Sequence, residues 1–349
     1  MLNIISRSIL FKNVSGPKKV VENLIKGLDK ISYPYVINKR LDACKRLWIH
    51  DDTKALREIS NLPKEIKIIV GPNIYNLPKD IPEYLDLSTI VYLQPSIWTK
   101  SFWLKFGADK YSIEVWPTGI DTEEFKPSRK TREKKEFVLV YFKKRFADEL
   151  ETVKNALNRK NIDYRIIDYA KGYKESNYKN LLVKSKYVIW LGIGEAQGIA
   201  LQEALSVDVP ILVCDVYSVG HRVGGEEFSQ EEKEFQNTTS APYFDSRCGI
   251  KIKDLNDLRQ GIDFMESHLK NFKPREYILE NLSLDKKAKD LIFLYEKHFG
   301  LKYKDGFNEK LLKRGDWLNN KFYYIIYLKL KHFVKMLLIK SGIWNFMKL

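Results

Sequence analysis

The chain writes one pattern twice. Short β-branched and aromatic runs alternate with stretches of helical periodicity through the first 126 residues. The polar segment PSRKTREKKE (127–136) interrupts them, and FVLVYF (137–142) starts the alternation again. Strand signals separated by helical ones require parallel sheets with helical crossovers. A charged stretch without apolar periodicity marks a boundary between two such units. The pattern predicts strands at Asn3–Ser6, Tyr35–Asn38, Leu47–His50, Ile66–Val70, Ile90–Leu93 and Ile113–Trp116, with helices at Lys18–Ile31, Thr53–Ser60 and Ser96–Phe106. Beyond the break it predicts strands at 137–142, Tyr164–Asp168, Tyr187–Leu191 and Ile211–Cys214, and helices at Asp148–Arg159, Asn177–Lys184 and Gly198–Leu205. The expectation is therefore an α/β protein of two Rossmann-like domains, 1–126 and 137–300, joined by the linker 127–136 and followed by a tail, 301–349. Ligands of such sheets bind beyond the carboxyl ends of the strands, where the two domains face one another across a cleft.

Composition narrows the function classes. A length of 349 residues suits two domains, and 44% apolar with 13% aromatic side chains supports packed cores rather than disorder. Cys44, Cys214 and Cys248 are scattered and fall in no CxxC pattern, so neither a zinc site nor a disulfide framework is expected, and a reducing cytoplasm is the natural compartment. The opening MLNIISRSIL reads as a strand rather than a signal peptide, and no run of about 18 uncharged apolar residues is long enough to span a bilayer. No HExxH, GxSxG, P-loop lysine or EF-hand pattern is present.

Chemistry concentrates in KYVIWLGIGEAQGIALQEALSVDVPILVCD (186–215), a strand, a glycine-containing loop, a helix and a second strand. Gly198 lets the backbone approach a ligand closely. The N–H groups of Gly198, Ile199 and Ala200 open the helix where its dipole is positive, a ready site for a diphosphate. Glu203, about one and a half turns further on, is placed to accept hydrogen bonds from the ribose hydroxyls of a nucleotide. Its neighbours are of buried type, and a carboxylate among them is costly without a partner. Glu195 in the loop then faces whatever hangs from the distal phosphate. A diphosphate also needs cations, and the strand 137–142 runs into Lys143, Lys144 and Arg145. Strand alternation favours Lys143 and Arg145 on one side. Gly16 follows the first strand, and His50 ends a strand at the cleft, where it is placed to orient an acceptor hydroxyl. The loop TTSAPYFDSRCG (238–249), with Tyr243 and Asp245, follows the last core strand.

Glu195 and Glu203 form E-x7-E in a strand–loop–helix setting, which resembles the signature of retaining GT-B glycosyltransferases, especially the family-4-like group. Three further segments share the resemblance: VWPTGIDTEEFKP (115–127), SGPKKVVENLIKGL (15–28) and IVYLQPSIWTKSFW (90–103). Together they cover about residues 1–300. The likeness implies transfer of a sugar from a nucleotide-diphosphate donor with retention at the anomeric carbon. It implies that Glu203 holds the ribose, that Glu195 contacts the donor sugar, and that Lys143 and Arg145, with Lys144 beside them, serve the leaving diphosphate. Gly16 would approach the donor phosphates and acceptor. The chain departs from the family pattern at the basic strand end, where Phe142 replaces a glycine and no Lys-Gly follows. HDD (50–52) is not the metal-binding DxD of the other main glycosyltransferase fold, so protein cations are expected in place of a metal, with no cofactor. A non-catalytic nucleotide-sugar or glycan-binding protein on the same scaffold is the alternative, because fold does not fix function.

The tail is a separate physical object. Residues 301–349 hold eleven Lys or Arg against three acids, more than half of the chain's formal +15. From Tyr323, aromatic and aliphatic residues recur at helical spacing while Lys321, Lys329, Lys331, His332, Lys335 and Lys340 fall on the opposite side. This predicts a basic amphipathic helix at an anionic membrane surface through residues 321–349. Packing on the protein body is the competing reading. Aromatics segregated from lysines do not suit nucleic acid. A glycan or lipid-linked acceptor, as in bacterial-type surface-glycan assembly on the inner face of the membrane, follows from the tail and the resemblance together.

Overall fold

The computed structural model describes residues 1–11, 15–72, 74–83, 85, 87–127 and 135–303. The greater part of the linker and the amphipathic tail, including residues 321–349, lie outside the described residues. The first domain holds β1 (Leu2–Ile5), α1 (Gly16–Lys30), β2 (Tyr35–Ile37), β3 (Arg46–Ile49), α2 (Thr53–Arg57), β4 (Lys67–Val70), β5 (Val91–Gln94), α3 (Ile97–Trp103) and β6 (Ser112–Val115). The second holds β7 (Phe137–Phe142), α4 (Ala147–Arg159), β8 (Tyr164–Asp168), α5 (Glu175–Lys184), β9 (Ser185–Leu191), α6 (Ile199–Ser206), β10 (Ile211–Cys214), α7 (Gln230–Lys233), β11 (Gly249–Ile252), α8 (Leu258–His268) and α9 (Pro274–Asn281). A last helix, α10 (Leu284–Phe299), closes the described chain.

Both sheets are parallel throughout. Their orders are β2-β1-β3-β4-β5-β6 and β11-β10-β9-β7-β8, so each sheet reverses direction beside its own first strand. Those reversals are where a crevice opens at the carboxyl ends of strands. Alternation along the strands sorts the cores. In the second sheet Leu139, Tyr141, Val188 and Trp190 face one layer, while Val138, Val140, Tyr187 and Ile189 face the other. Burial on both faces explains why these strands read as near-continuous apolar runs.

Two segments cross the domain boundary. Helix α10, which the sequence reading places with the second domain, packs in the first: Leu291, Ile292 and Tyr295 share a core with Val21, Leu24, Leu28 and Trp48. The approach is close. A Cβ on Gly27 would lie 2.4 Å from the Leu284 carbonyl oxygen, and one on Gly119 would lie 2.7 Å from the Leu284 Cα, so both positions need glycine. The long segment between β10 and β11 also reaches over. Phe235 packs edge-on to Phe102, with ring centroids 5.3 Å apart, and Val219 joins the same first-domain core. Among the described residues no helix is long and apolar enough to cross a membrane. Cys44, Cys214 and Cys248 are buried and unpaired.

Candidate active site in the interdomain cleft

A cleft of about 810 Å³ lies between the domains, lined by Ser15, Gly16, Lys19 and His50 from the first and by Tyr141, Lys143, Glu195, Gly198 and Glu203 from the second. It sits beyond β1, β7 and β9, at the reversal of each sheet. Gly198 caps α6 with φ of +80°, a left-handed conformation that glycine adopts without strain. Ile199 and Ala200 follow it along the cleft wall. The first turn of α6 thus presents its amino end to the opening, where the partial positive charge of a helix start favours an anion.

The loop before α6 is fixed by bonds to the first domain. Gln197 accepts from the Thr118 backbone N–H (3.0 Å) and donates to the Thr118 carbonyl (2.8 Å). The indole of Trp98 donates to the Glu195 carbonyl at 2.8 Å. Glu195 in turn receives the Lys143 ammonium on both carboxylate oxygens, at 2.7 and 2.9 Å. Lys143 Nζ also lies 4.8 Å from the centroid of the Tyr169 ring.

Glu203 is 4% exposed and meets the ammonium of Lys19, which comes from the first turn of α1 and also bonds Glu175 at 2.9 Å. Burial pushes the Glu203 carboxyl up to about 7, and Lys19 offsets part of that rise. An aromatic wall stands beside the pair. Tyr141 stacks on Trp190 at 4.1 Å, and its hydroxyl shares a hydrogen bond with that of Tyr173 at 3.1 Å. Tyr141 and Trp190 are each 1% exposed and back the wall, while Tyr169 and Tyr173 are the rings with surface towards the cleft.

The structure brings most of the expected residues together and turns two away. Gly16 and His50 line the cleft. His50 is buried, its Nε2 donates to the Pro17 carbonyl at 3.1 Å, and burial holds its pKa below the usual value. Lys144 and Arg145 do not line the cleft. The chain leaves β7 at Phe142, and Lys144 takes a left-handed φ of +52° that ends strand alternation. Arg145 therefore points inward. It is 2% exposed, pairs with Glu149, and donates to the carbonyls of Gly192 (3.0 Å) and Cys214 (2.8 Å). Lys144 is exposed. The expected basic trio thus leaves Lys143 alone on the cleft wall. Tyr243 spans the domains instead, donating to the Pro95 carbonyl at 2.6 Å, and Asp245 pairs with Arg247 at 2.7 Å. Among the described residues no group of three or more His, Cys, Asp or Glu is arranged to hold a metal ion.

Lys19, Glu175, Gln197 and the tyrosines of the wall are additional to the sequence expectation. The only sequence signal for Lys19 is its place one turn after Gly16, in a lysine pair whose other member donates to the Phe11 carbonyl instead.

No family model and no curated protein matches the sequence. Solved structures do. Sucrose-phosphate synthase from Thermosynechococcus elongatus superposes with a TM-score of 0.57 at 11% identity, covering 86% of this chain and 99% of that one. The catalytic domain of starch synthase IV from Arabidopsis thaliana, bound to ADP and acarbose, does so with a TM-score of 0.53 at 11% identity, over 85% and 98% of the two chains. The likeness extends over nearly the whole of both proteins, two parallel-sheet domains in the same order, and it gives this chain the GT-B fold.

Proposed function

We propose that the protein is a retaining glycosyltransferase that moves a sugar from a nucleoside-diphosphate donor to a glycan or lipid-linked acceptor, with protein groups rather than a divalent metal receiving the leaving diphosphate. One observation carries the reading: the amino end of α6, the Lys143 ammonium and the buried Glu203 carboxylate converge on one cleft at the reversal of both sheets. Glu203 accepts from the ribose hydroxyls. The N–H groups of Gly198, Ile199 and Ala200 and the Lys143 ammonium take the diphosphate, whose charge grows as the donor bond breaks. Glu195, paired with Lys143, contacts the donor sugar. Gly16, without a side chain, leaves room at the start of α1 for the phosphates, and neutral His50 orients the acceptor hydroxyl.

The bond between the anomeric carbon and the diphosphate oxygen breaks, and the acceptor oxygen bonds to the same face of that carbon. The acceptor proton passes to the departing phosphate oxygen. No protein nucleophile takes part, and Lys143 with the helix start supplies the stabilisation. The basic tail holds the enzyme at the inner face of an anionic membrane, where a lipid-linked acceptor is presented.

Calorimetric titration with UDP, GDP and ADP, followed by transfer assays with the matching sugar donors, tests the reading. Binding and transfer should be lost in Glu203→Ala, and turnover that survives that change overturns the assignment. Deleting residues 321–349 should abolish binding to anionic liposomes while donor turnover persists; unchanged liposome binding removes the membrane role.

A further inference from the structure

Lys19 is a first-domain residue whose charge is used in the second domain. Its ammonium bridges Glu203 of α6 and Glu175 of α5, and it stands 4.9 Å from the Phe125 ring centroid. The neighbouring lysines of α1 are engaged elsewhere: Lys18 with the Phe11 carbonyl and Lys26 with Asp121 and Glu124. Around Glu203 lie the carboxylates of Glu175 and Glu124, which disfavour a further negative charge, and the phenols of Tyr173 and Tyr178, which its charge keeps protonated. Lys179, on α5, lies 6.0 Å from the same Phe125 ring. The cation in contact with Glu203 is Lys19.

Hydrogen bonds from hydroxyls to an ionised carboxylate are about twice as strong as those to a neutral acceptor. A carboxyl this buried, among other acids, keeps its proton unless a cation is held against it. The group that fixes its ionisation therefore also fixes how well it binds a diol. We propose that Lys19 is a positioning residue of the donor site, reaching from the first domain to hold Glu203 as a carboxylate against the ribose diol, so that donor affinity requires the two domains together. The inference rests on the reading of the cleft as a nucleotide-sugar site. Burial lifts Glu203 to about 7 even with Lys19 in place, which leaves little margin once that cation is gone.

The test couples the residue to the diol. The full chain is titrated with UDP, GDP and ADP, and the tightest of these is compared with its 2′,3′-dideoxy counterpart. Lys19→Met should weaken the ribonucleotide about tenfold or more at pH 7 while leaving the weak dideoxy affinity unchanged, since the lost strength is that of hydroxyl–carboxylate bonds. Its ribonucleotide affinity should recover severalfold as pH rises from 7 to 9, whereas the wild type, with Glu203 at about 7, should gain no more than about twofold. In transfer assays the defect should appear in the donor KM and spare kcat. Lys19→Arg, which keeps the charge, should restore affinity. Should Lys19→Met fail to fold, as its melting temperature would report, Lys19→Gln carries the same comparison. Equal losses on the ribo and dideoxy ligands, or wild-type affinity in the variant, overturn the inference alone. A wild-type chain that binds no nucleoside diphosphate overturns the donor reading and the inference with it.

Discussion

The cleft contains two lysine–glutamate pairs that differ in almost everything but their chemistry. Lys143 and Glu195 belong to one domain, with side chains 19% and 11% exposed. Lys19 and Glu203 come from different domains, and the Glu203 side chain is 5% exposed. In the proposed reaction the first pair is the one that opens, the donor phosphate competing with Glu195 for the ammonium. The second is a tie between domains, in which a first-domain cation offsets part of what burial costs the Glu203 carboxylate. Both pairs are largely covered, and removing one member strands a charge less completely at Glu195 than at Glu203, which keeps less solvent.

Four experiments sharpen or break that contrast, in descending order of effect. Lys143→Met should lower kcat about 100- to 1,000-fold, the usual consequence of removing a group aimed at developing charge, with the melting temperature near wild type; steady-state transfer at saturating donor measures it. Arg145→Met should reverse the outcome, costing about 3 kcal/mol of stability while nucleotide affinity is retained, because it takes the guanidinium from a buried carboxylate and leaves Glu149 to His221 and the Phe146 N–H. Urea denaturation with and without nucleotide separates the two variants, and a large affinity loss in Arg145→Met would return that residue to the site.

The same network gives a pH signature. Burial raises the Glu149 carboxyl, but hydrogen bonds from His221 and Arg145 outweigh it and hold the group at about 2, below its ordinary 4.5. A depressed acid stabilises the fold above its unfolded pKa and withdraws that support as it protonates. About 3 kcal/mol should therefore be present above pH 4.5 and lost as pH falls towards 2. Arg145→Met should flatten the slope in an acid titration of stability. Smallest of the four, Tyr243→Phe removes one hydrogen bond across the domains and should cost about 1 kcal/mol in denaturant melts, with kcat unchanged.

These residues also show where sequence speaks and where it stops. FVLVYF and KYVIWL are legible as buried strands because both faces are covered, and Gly198 is legible as the start of α6, where it takes a left-handed backbone. Arg145 is not. Period-two alternation puts it beside Lys143, and nothing in the run of basic residues announces that Lys144 breaks the period. His50 is readable as a cleft residue, but the acids after it serve the backbone: Asp51, also on the cleft wall, accepts from the Arg7 and Ser8 N–H groups at 2.6 and 2.9 Å, and Asp52 caps α2. Lys19 has only its place after Gly16, because the acids it meets, Glu175 and Glu203, lie more than 150 residues away in the chain. Helix α10 is hidden for the same reason, its apolar stripe fitting either domain until the fold is assembled.

That last helix has a consequence for biosynthesis. The hydrophobic layer that includes Val21, Leu24 and Leu28 is completed by Leu291, Ile292 and Tyr295, on a helix that follows α1 by more than 250 residues. At about 5–20 residues per second, translation leaves roughly 10–50 s between the two. For that interval the growing amino-terminal half carries, still tethered to the ribosome, an oily surface that the remainder of the chain has yet to cover.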